Sequence, residues 1–131
     1  MAGVAPGNNA IGRRIEELDT PVLCLDRILF EGNLKRMAAF FRDRTAKLRP
    51  HFKNNKCGRI AQAQLAAGAI VGMTCAKLGE AEVLADAGCR DILIANQIVG
   101  PTKIARLVAL AGRVEHLRVA VDAIEQAGAI A

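Results

Sequence analysis

The sequence has no tryptophan and no tyrosine, and its aromatic residues are four phenylalanines. Proteins that bind single-stranded nucleic acid stack bases on aromatic rings, so this scarcity argues against a nucleic-acid partner despite the net charge of +5. The positive charge lies in residues 1–60, which hold 12 Lys/Arg and 6 Asp/Glu. Two interpretations stay open: a solvated helix surface, or attraction of an anionic cofactor or substrate.

Long apolar runs are also missing, which argues against a membrane span of about 18 residues or more. Residues 1–10 lack the pattern of a secretory signal, and we expect residues 1–18 to form an N-terminal tail. The cysteines show no C-x-x-C spacing, which argues against a zinc site. Small buried thiols in a reducing cytoplasm explain them best, so we expect a cytoplasmic protein; they are Cys24, Cys57, Cys75 and Cys89.

A G-x-G-x-x-G motif is absent as well, which disfavours a dinucleotide-binding fold. The chain instead alternates short apolar runs with amphipathic stretches, and this order predicts parallel β/α units. Glycines 68, 88 and 112 stand where helices are predicted to end. Strands are predicted at residues 20–25, 47–52, 69–75, 91–95 and 116–121. Helices are predicted after Asp26, at 57–67, 78–87 and 101–111, and from Ala123 onward.

The first predicted helix carries an apolar stripe, Phe30, Leu34, Met37 and Phe41, which we expect to face the core. Two architectures fit the whole order of elements. An open doubly wound sheet is complete in about 130 residues, whereas a (β/α)8 barrel needs about 250. Periodicity alone does not choose between them.

Lys53 follows a predicted strand, at the carboxyl end where parallel α/β folds carry their chemistry. His51, two residues earlier, falls on the same side of an extended chain. A lysine at a barrel mouth, beside other cations and partly desolvated, favours a neutral amine that can attack an aldehyde to form a Schiff base. The local pattern leaves an exposed loop lysine without chemistry as the alternative.

Lys56 is the nearby competitor, and we expect its side chain to point elsewhere because it lies where the loop turns into the next helix. Glu80 and Glu82 are predicted to cap or solvate a helix.

A longer pattern surrounds the lysine. Its centre is the run Lys47-Leu48-Arg49-Pro50-His51-Phe52-Lys53-Asn54-Asn55-Lys56, with an Arg-Pro-His-x-Lys motif. Further motifs are Asp19-Thr20-Pro21, Asn33 with Met37, Ala76-Lys77-Leu78-Gly79-Glu80-Ala81-Glu82 and Asp91-Ile92-Leu93-Ile94-Ala95-Asn96. From about residue 19 to 122 the chain resembles the fold-type III pyridoxal-phosphate enzymes, the alanine racemase-like barrels. The resemblance is closest to the group of D-threonine aldolases and D-serine dehydratases.

The resemblance implies a partial (β/α)8 barrel with parallel strands. Residues 19–131 would be the N-terminal half of the cofactor-binding barrel domain, with the remaining barrel and a C-terminal β domain absent. It also implies that Lys53 holds pyridoxal 5'-phosphate as a Schiff base. His51 and Asn96 are further candidates for cofactor contact, with a turn-fixing histidine and a loop-capping asparagine as the alternatives. No metal ligand is assigned in this chain; a divalent metal is expected in the full-length enzyme, with ligands beyond residue 131.

The implied function is a pyridoxal-phosphate-dependent lyase that cleaves D-threonine or related D-β-hydroxy amino acids to glycine and an aldehyde. We expect a homodimer at full length and no activity of this fragment alone. The alternatives are a D-serine or hydroxyaspartate dehydratase, a non-catalytic pyridoxal-phosphate-binding protein, and an α/β module without a cofactor. Ala76 favours the aldolase, because some dehydratase-like relatives carry glutamine there. Asn54-Asn55 stand where many relatives have Thr-His, so that histidine's role is not carried over.

Overall fold

The computed structural model describes residues 10–131, so half of the predicted N-terminal tail lies outside the described residues. The other half contains one short 3-10 turn, Ile15–Glu17, and a second 3-10 turn is Phe52–Asn54. None of the helices between residues 10 and 131 combines the length and hydrophobicity that crossing a bilayer requires. The helices and strands are α1 Arg27–Phe41, α2 Gly58–Ala66, β1 Met73–Cys75, α3 Leu78–Asp86, β2 Asp91–Ile94, α4 Pro101–Ala111, β3 His116–Val119 and α5 Ile124–Ile130.

The three strands form one parallel sheet in the order β1-β2-β3. A fourth segment lies along β1 through single parallel bridges, which pair Leu48 with Ile70 and His51 with Thr74. Pro50 has no N–H to donate to a ladder, which explains why the strand predicted there is reduced to bridges. The parallel pairing and the helix between successive strands confirm the predicted class, a partial barrel of β/α units.

The helix boundaries follow from capping residues that are visible in the sequence. The Asp26 carboxylate accepts a hydrogen bond from the Leu29 N–H at 2.9 Å and begins α1. Pro101 occupies the first turn of α4, where a missing N–H costs nothing. Gly68 and Gly88 follow α2 and α3 with φ of +80° and +81°, the left-handed conformation that ends a helix.

The core lies between one face of the sheet and the helices. Alternate strand residues Met73, Cys75, Ile92 and Ile94 are fully buried there. They pack with side chains of α3 and α4, which are Leu78, Ala81, Leu84, Leu107 and Leu110. Each large side chain removed from water contributes about 1.5–3 kcal/mol. Burial of this face orients the strands, so the opposite face, called the inner face below, carries Thr74, Asp91, Leu93 and Arg118.

The first predicted strand is wrong. Residues 20–25 form no strand with any part of the chain that the structure describes. Cys24, expected to be a buried thiol, is exposed, and Leu23 is 101% exposed. An apolar extended segment becomes buried only when a neighbouring strand and a packed layer cover it, and residues 10–131 provide neither for this segment.

The apolar stripe of α1 is a second correction. Phe30, Leu34 and Phe41 are only half-buried, and Met37 is 44% exposed. The helix lies beside α2 and the bridged segment without closing onto them, which leaves a cleft of about 270 Å³ between them. Leu34 and Met37 line this cleft, and no residue of the stripe belongs to the core.

Gly72 marks a β-bulge beside the bridged segment. Three residue steps separate Leu48 from His51, whereas four separate their partners Ile70 and Thr74. Gly72 is the buried residue that absorbs the extra step, with φ of +143°. A Cβ at this position would overlap the Asp91 carbonyl oxygen and the Arg49 guanidinium. Only glycine fits both the backbone angle and the space.

We predict that Gly72→Ala lowers the free energy of unfolding by about 3 kcal/mol, because it adds steric overlap to backbone strain. Urea denaturation followed by circular dichroism measures this. Gly79→Ala is the matched control, since a Cβ there meets nothing within 4 Å. Because alanine favours a helix more than glycine does, this substitution should raise the free energy of unfolding by about 0.5–1 kcal/mol. Equal effects of the two substitutions would contradict the role given to Gly72.

Candidate active site

Lys53 lies on a short turn at the carboxyl edge of the sheet. It directly follows the bridged segment, inside the 3-10 turn Phe52–Asn54, which packs against β1. Its neighbour Phe52 is 1% exposed and belongs to the core, whereas the Lys53 side chain is exposed. Lys53 makes no ion pair with any residue from 10 to 131. The turn is thus anchored by Phe52 and presents the amine to solvent. The expected partial desolvation of Lys53 is not provided by the described residues.

His51 fixes the start of this turn. Its Nδ1 accepts a hydrogen bond from the Lys53 backbone N–H at 3.1 Å. The ring therefore acts as a cap, the turn-fixing role that the sequence left open, and Nε2 is not engaged by this bond. Cofactor contact through Nε2 stays a prediction.

Lys56 closes the same turn. Its N–H donates to the Phe52 carbonyl oxygen at 2.9 Å. Its φ of 49° is positive, which is unusual for a residue with a side chain. The Lys56 ammonium lies 3.5 Å from Glu80 Oε1. The side chain is thus directed to the beginning of α3.

Glu80 is buried at the amino end of α3, where its carboxylate holds the loop that leads into the helix. Its Oε2 accepts a hydrogen bond from the Ala76 N–H at 2.9 Å. Burial raises the pKa of Glu80, but the Ala76 hydrogen bond and the Lys56 ammonium outweigh burial and hold the pKa below its ordinary value. Glu82, also predicted on the helix surface, pairs with Arg106 of α4 at 2.5 Å.

Asn96 follows β2 at the same edge of the sheet. Its Nδ2 donates to the Ala76 carbonyl oxygen at 3.3 Å, and its Oδ1 accepts from the Gln97 N–H at 3.0 Å. Gln97 Nε2 in turn donates to Asp122 Oδ2 at 2.9 Å. The loops after all three strands are therefore joined by side-chain hydrogen bonds. Asn96 has the loop-capping role that was its alternative, and its contact with a cofactor stays a prediction.

A charged cluster on the inner face was missed by the sequence reasoning. Asp91 accepts from Arg49 at 2.7 Å and from Arg118 at 2.5 Å. The Arg49 guanidinium hydrogen bond, which outweighs burial, lowers the pKa of Asp91 with further help from Arg118. Arg49 is four residues before Lys53, so the cluster ties the lysine-bearing segment to β2. The available signal was the alternation of charged and apolar residues in two predicted strands.

The two buried cysteines are structural. Desolvation raises the pKa of the Cys75 thiol to about 12 and also raises that of Cys89. A thiol that stays protonated is a poor nucleophile, so these two residues behave as small apolar side chains, as predicted.

The fold and the lysine-bearing turn together define an α/β domain of the alanine racemase type. The family model described as alanine racemase, N-terminal domain, matches residues 25–131, and the chain belongs to this family. A D-threonine aldolase of Arthrobacter sp is 46% identical over 111 residues, which are 85% of this chain and 29% of that protein. A D-threo-3-hydroxyaspartate dehydratase of Delftia sp. strain HT23 is 38% identical over 114 residues, which are 87% of this chain and 30% of that protein.

Solved structures give the same result. D-threonine aldolase from Filomicrobium marinum superposes with a TM-score of 0.80 at 46% identity, covering 86% of this chain and 30% of that one. D-threo-3-hydroxyaspartate dehydratase from Delftia sp. HT23 gives 0.75 at 36% identity, covering 87% and 30%. The family resemblance and the fold class are confirmed. The chain spans about 30% of the length of these relatives.

We predict that Asp91→Asn lowers the free energy of unfolding at pH 7 by about 2 kcal/mol. The substitution removes the negative charge that Arg49 and Arg118 both contact. The lowered pKa of Asp91 means that its contribution is complete above the unfolded value of about 3.9 and is lost as pH falls through the folded value. The difference in the free energy of unfolding between wild type and variant should therefore become smaller at acidic pH.

Urea denaturation between pH 7 and pH 3 tests this. Asp86→Asn is the control, since the Asp86–Arg113 pair is exposed and its loss should change stability by at most about 0.5 kcal/mol. A difference for Asp91→Asn that does not change with pH would contradict the ionic role of Asp91.

Proposed function

We propose that this chain is part of a pyridoxal-phosphate-dependent lyase that cleaves D-threonine, or a related D-β-hydroxy amino acid, to glycine and an aldehyde. One observation carries the proposal: an amine on an anchored turn, Lys53, lies at the carboxyl edge of a parallel sheet in a chain that is 46% identical to a D-threonine aldolase. The small-molecule substrate class comes from the same relatives.

The residues at this edge fit the cofactor. Its aldehyde requires an accessible amine, and Lys53 is exposed and free of ion pairs with residues 10–131. The turn that carries the amine is held at one end by His51 and beneath by the buried Phe52. A fixed backbone with a free amine is what covalent attachment of a cofactor requires.

When bound, pyridoxal phosphate supplies an electron sink for negative charge at the substrate Cα. The chain's own part is to hold the cofactor through Lys53 Nζ and to keep the sheet edge in place through Asn96 and Gln97. Lys53 Nζ can also take up and return a proton at the reacting carbon, because it lies at the same edge. A divalent metal belongs to the proposal too, with ligands beyond residue 131; one related dehydratase variant was solved in a metal-free form.

The second candidate is a D-serine or hydroxyaspartate dehydratase, which releases a keto acid and ammonia. The observation in its favour is the 38% identity to a D-threo-3-hydroxyaspartate dehydratase. The dehydratase is the second candidate because this identity is lower than that to the aldolase and because Ala76 favours the aldolase.

We expect the complete holoenzyme with a divalent metal to release glycine from D-threonine. Borohydride should fix the cofactor on Lys53, as peptide mapping will show, and Lys53→Ala should abolish both the fixed label and glycine release. Lys47→Ala is the control, because Lys47 is an exposed lysine at the opposite end of the same segment, and it should retain activity.

Two results would contradict parts of this proposal. An active Lys53→Ala enzyme, or a label on Lys56 in the wild type, would overturn the role of Lys53. Keto acid and ammonia from D-serine, without glycine from D-threonine, would identify the dehydratase.

A further inference from the structure

Two lysines share the turn at the candidate site. The hydrogen bond from the Lys56 N–H to the Phe52 carbonyl oxygen closes a five-residue turn that contains Lys53 as well. Both side chains therefore begin within one turn of the chain at the same edge of the sheet, and both are exposed. An aldehyde bound at this edge meets two primary amines, so its attachment to one of them requires discrimination.

The two amines differ in their ion pairs. Lys53 makes no ion pair with residues 10–131, whereas the Lys56 ammonium lies 3.5 Å from Glu80 Oε1. The Glu80 side chain is 10% exposed and the Lys56 side chain 59% exposed. The carboxylate is also held by the Ala76 N–H through its other oxygen at 2.9 Å. Glu80 is thus held by a second contact and is the more buried of the two partners.

The backbone of Lys56 supports the same assignment. Lys56 is the one residue other than glycine with positive φ among residues 10–131. Such a backbone angle is unfavourable for a residue with a Cβ and persists only where surrounding contacts maintain it. The contacts here are the hydrogen bond to Phe52 and the ion pair with Glu80. Together they direct the Lys56 side chain to the start of α3.

Capture of an aldehyde joins the lysine Nζ to the aldehyde carbon, and both amine protons leave with the oxygen as water. The step requires a neutral amine with a free electron pair. The Lys56 Nζ is engaged by the Glu80 carboxylate, whereas the Lys53 Nζ has no carboxylate partner among residues 10–131.

We propose that Glu80 is a positioning residue that withholds Lys56 from the cofactor aldehyde and leaves Lys53 as the single competent amine. The inference rests on the proposed function only in that the site takes an aldehyde cofactor. It assigns to the buried glutamate of α3 a part in selecting the attachment site, beyond its part in holding the loop before the helix.

Glu80→Gln tests this selectively, since an amide oxygen still accepts from the Ala76 N–H while the negative charge is lost. The label fixed by borohydride on the complete holoenzyme is located by peptide mapping. We expect it on Lys53 in the wild type and on neither lysine in Lys53→Ala. In the double variant Lys53→Ala with Glu80→Gln, label should appear on Lys56.

Glu82→Gln in the Lys53→Ala background is the matched control. Glu82 lies two residues further along α3 and pairs with Arg106, not with a lysine, so its loss should put no label on Lys56. If the double variant does not fold, the single variant Glu80→Gln decides, with label expected on both lysines. Label confined to Lys53 there would overturn the inference.

The outcomes separate the two proposals. Label on Lys53 in the wild type, with none on Lys56 in either Glu80→Gln protein, leaves the function standing and rejects the role of Glu80. No label on Lys53 in the wild type rejects the function itself.

Discussion

Burial of one sheet face against α3 and α4 is the constraint on which the rest of the structure depends. Because strand side chains alternate, fixing Met73, Ile92 and Ile94 in the core sends Asp91 to the other face. The inner face can then be polar without cost to the core. Phe52 extends the same apolar layer beyond the end of its segment and so connects the core directly to the lysine-bearing turn.

Hydrogen bonds to backbone groups shape the candidate site. His51 and Ala76 contribute through hydrogen bonds that involve main-chain atoms, and Asn96 joins the ends of two strands in the same way. Side-chain hydrogen bonds join the three loops after the strands to one another. A lysine on a turn at such an edge keeps its position relative to the neighbouring loops, which is the preorganisation that covalent catalysis requires.

Much of this was readable from the sequence, because capping residues and apolar periodicity are local signals. Asp26, Pro101 and the glycines after the helices set boundaries that the structure confirms. The segment around Cys24 was misread, since a strand depends on a partner that its own residues do not encode. The Arg49–Asp91 contact was missed for a related reason. It joins residues 42 positions apart, and the local sequence around each residue does not indicate its partner. The Arg-Pro-His-x-Lys motif located Lys53, whereas the contacts that hold its turn became visible only in the structure.

The bulge at Gly72 has a consequence for how this region can change during evolution. It brings β1 back into phase with the neighbouring segment, so that Phe52 and Met73 both enter the core. Because side chains alternate with a period of two, an insertion or deletion of one residue between Ile70 and Thr74 would reverse one strand's faces relative to the other. Surface loops tolerate changes in length, but this stretch does not.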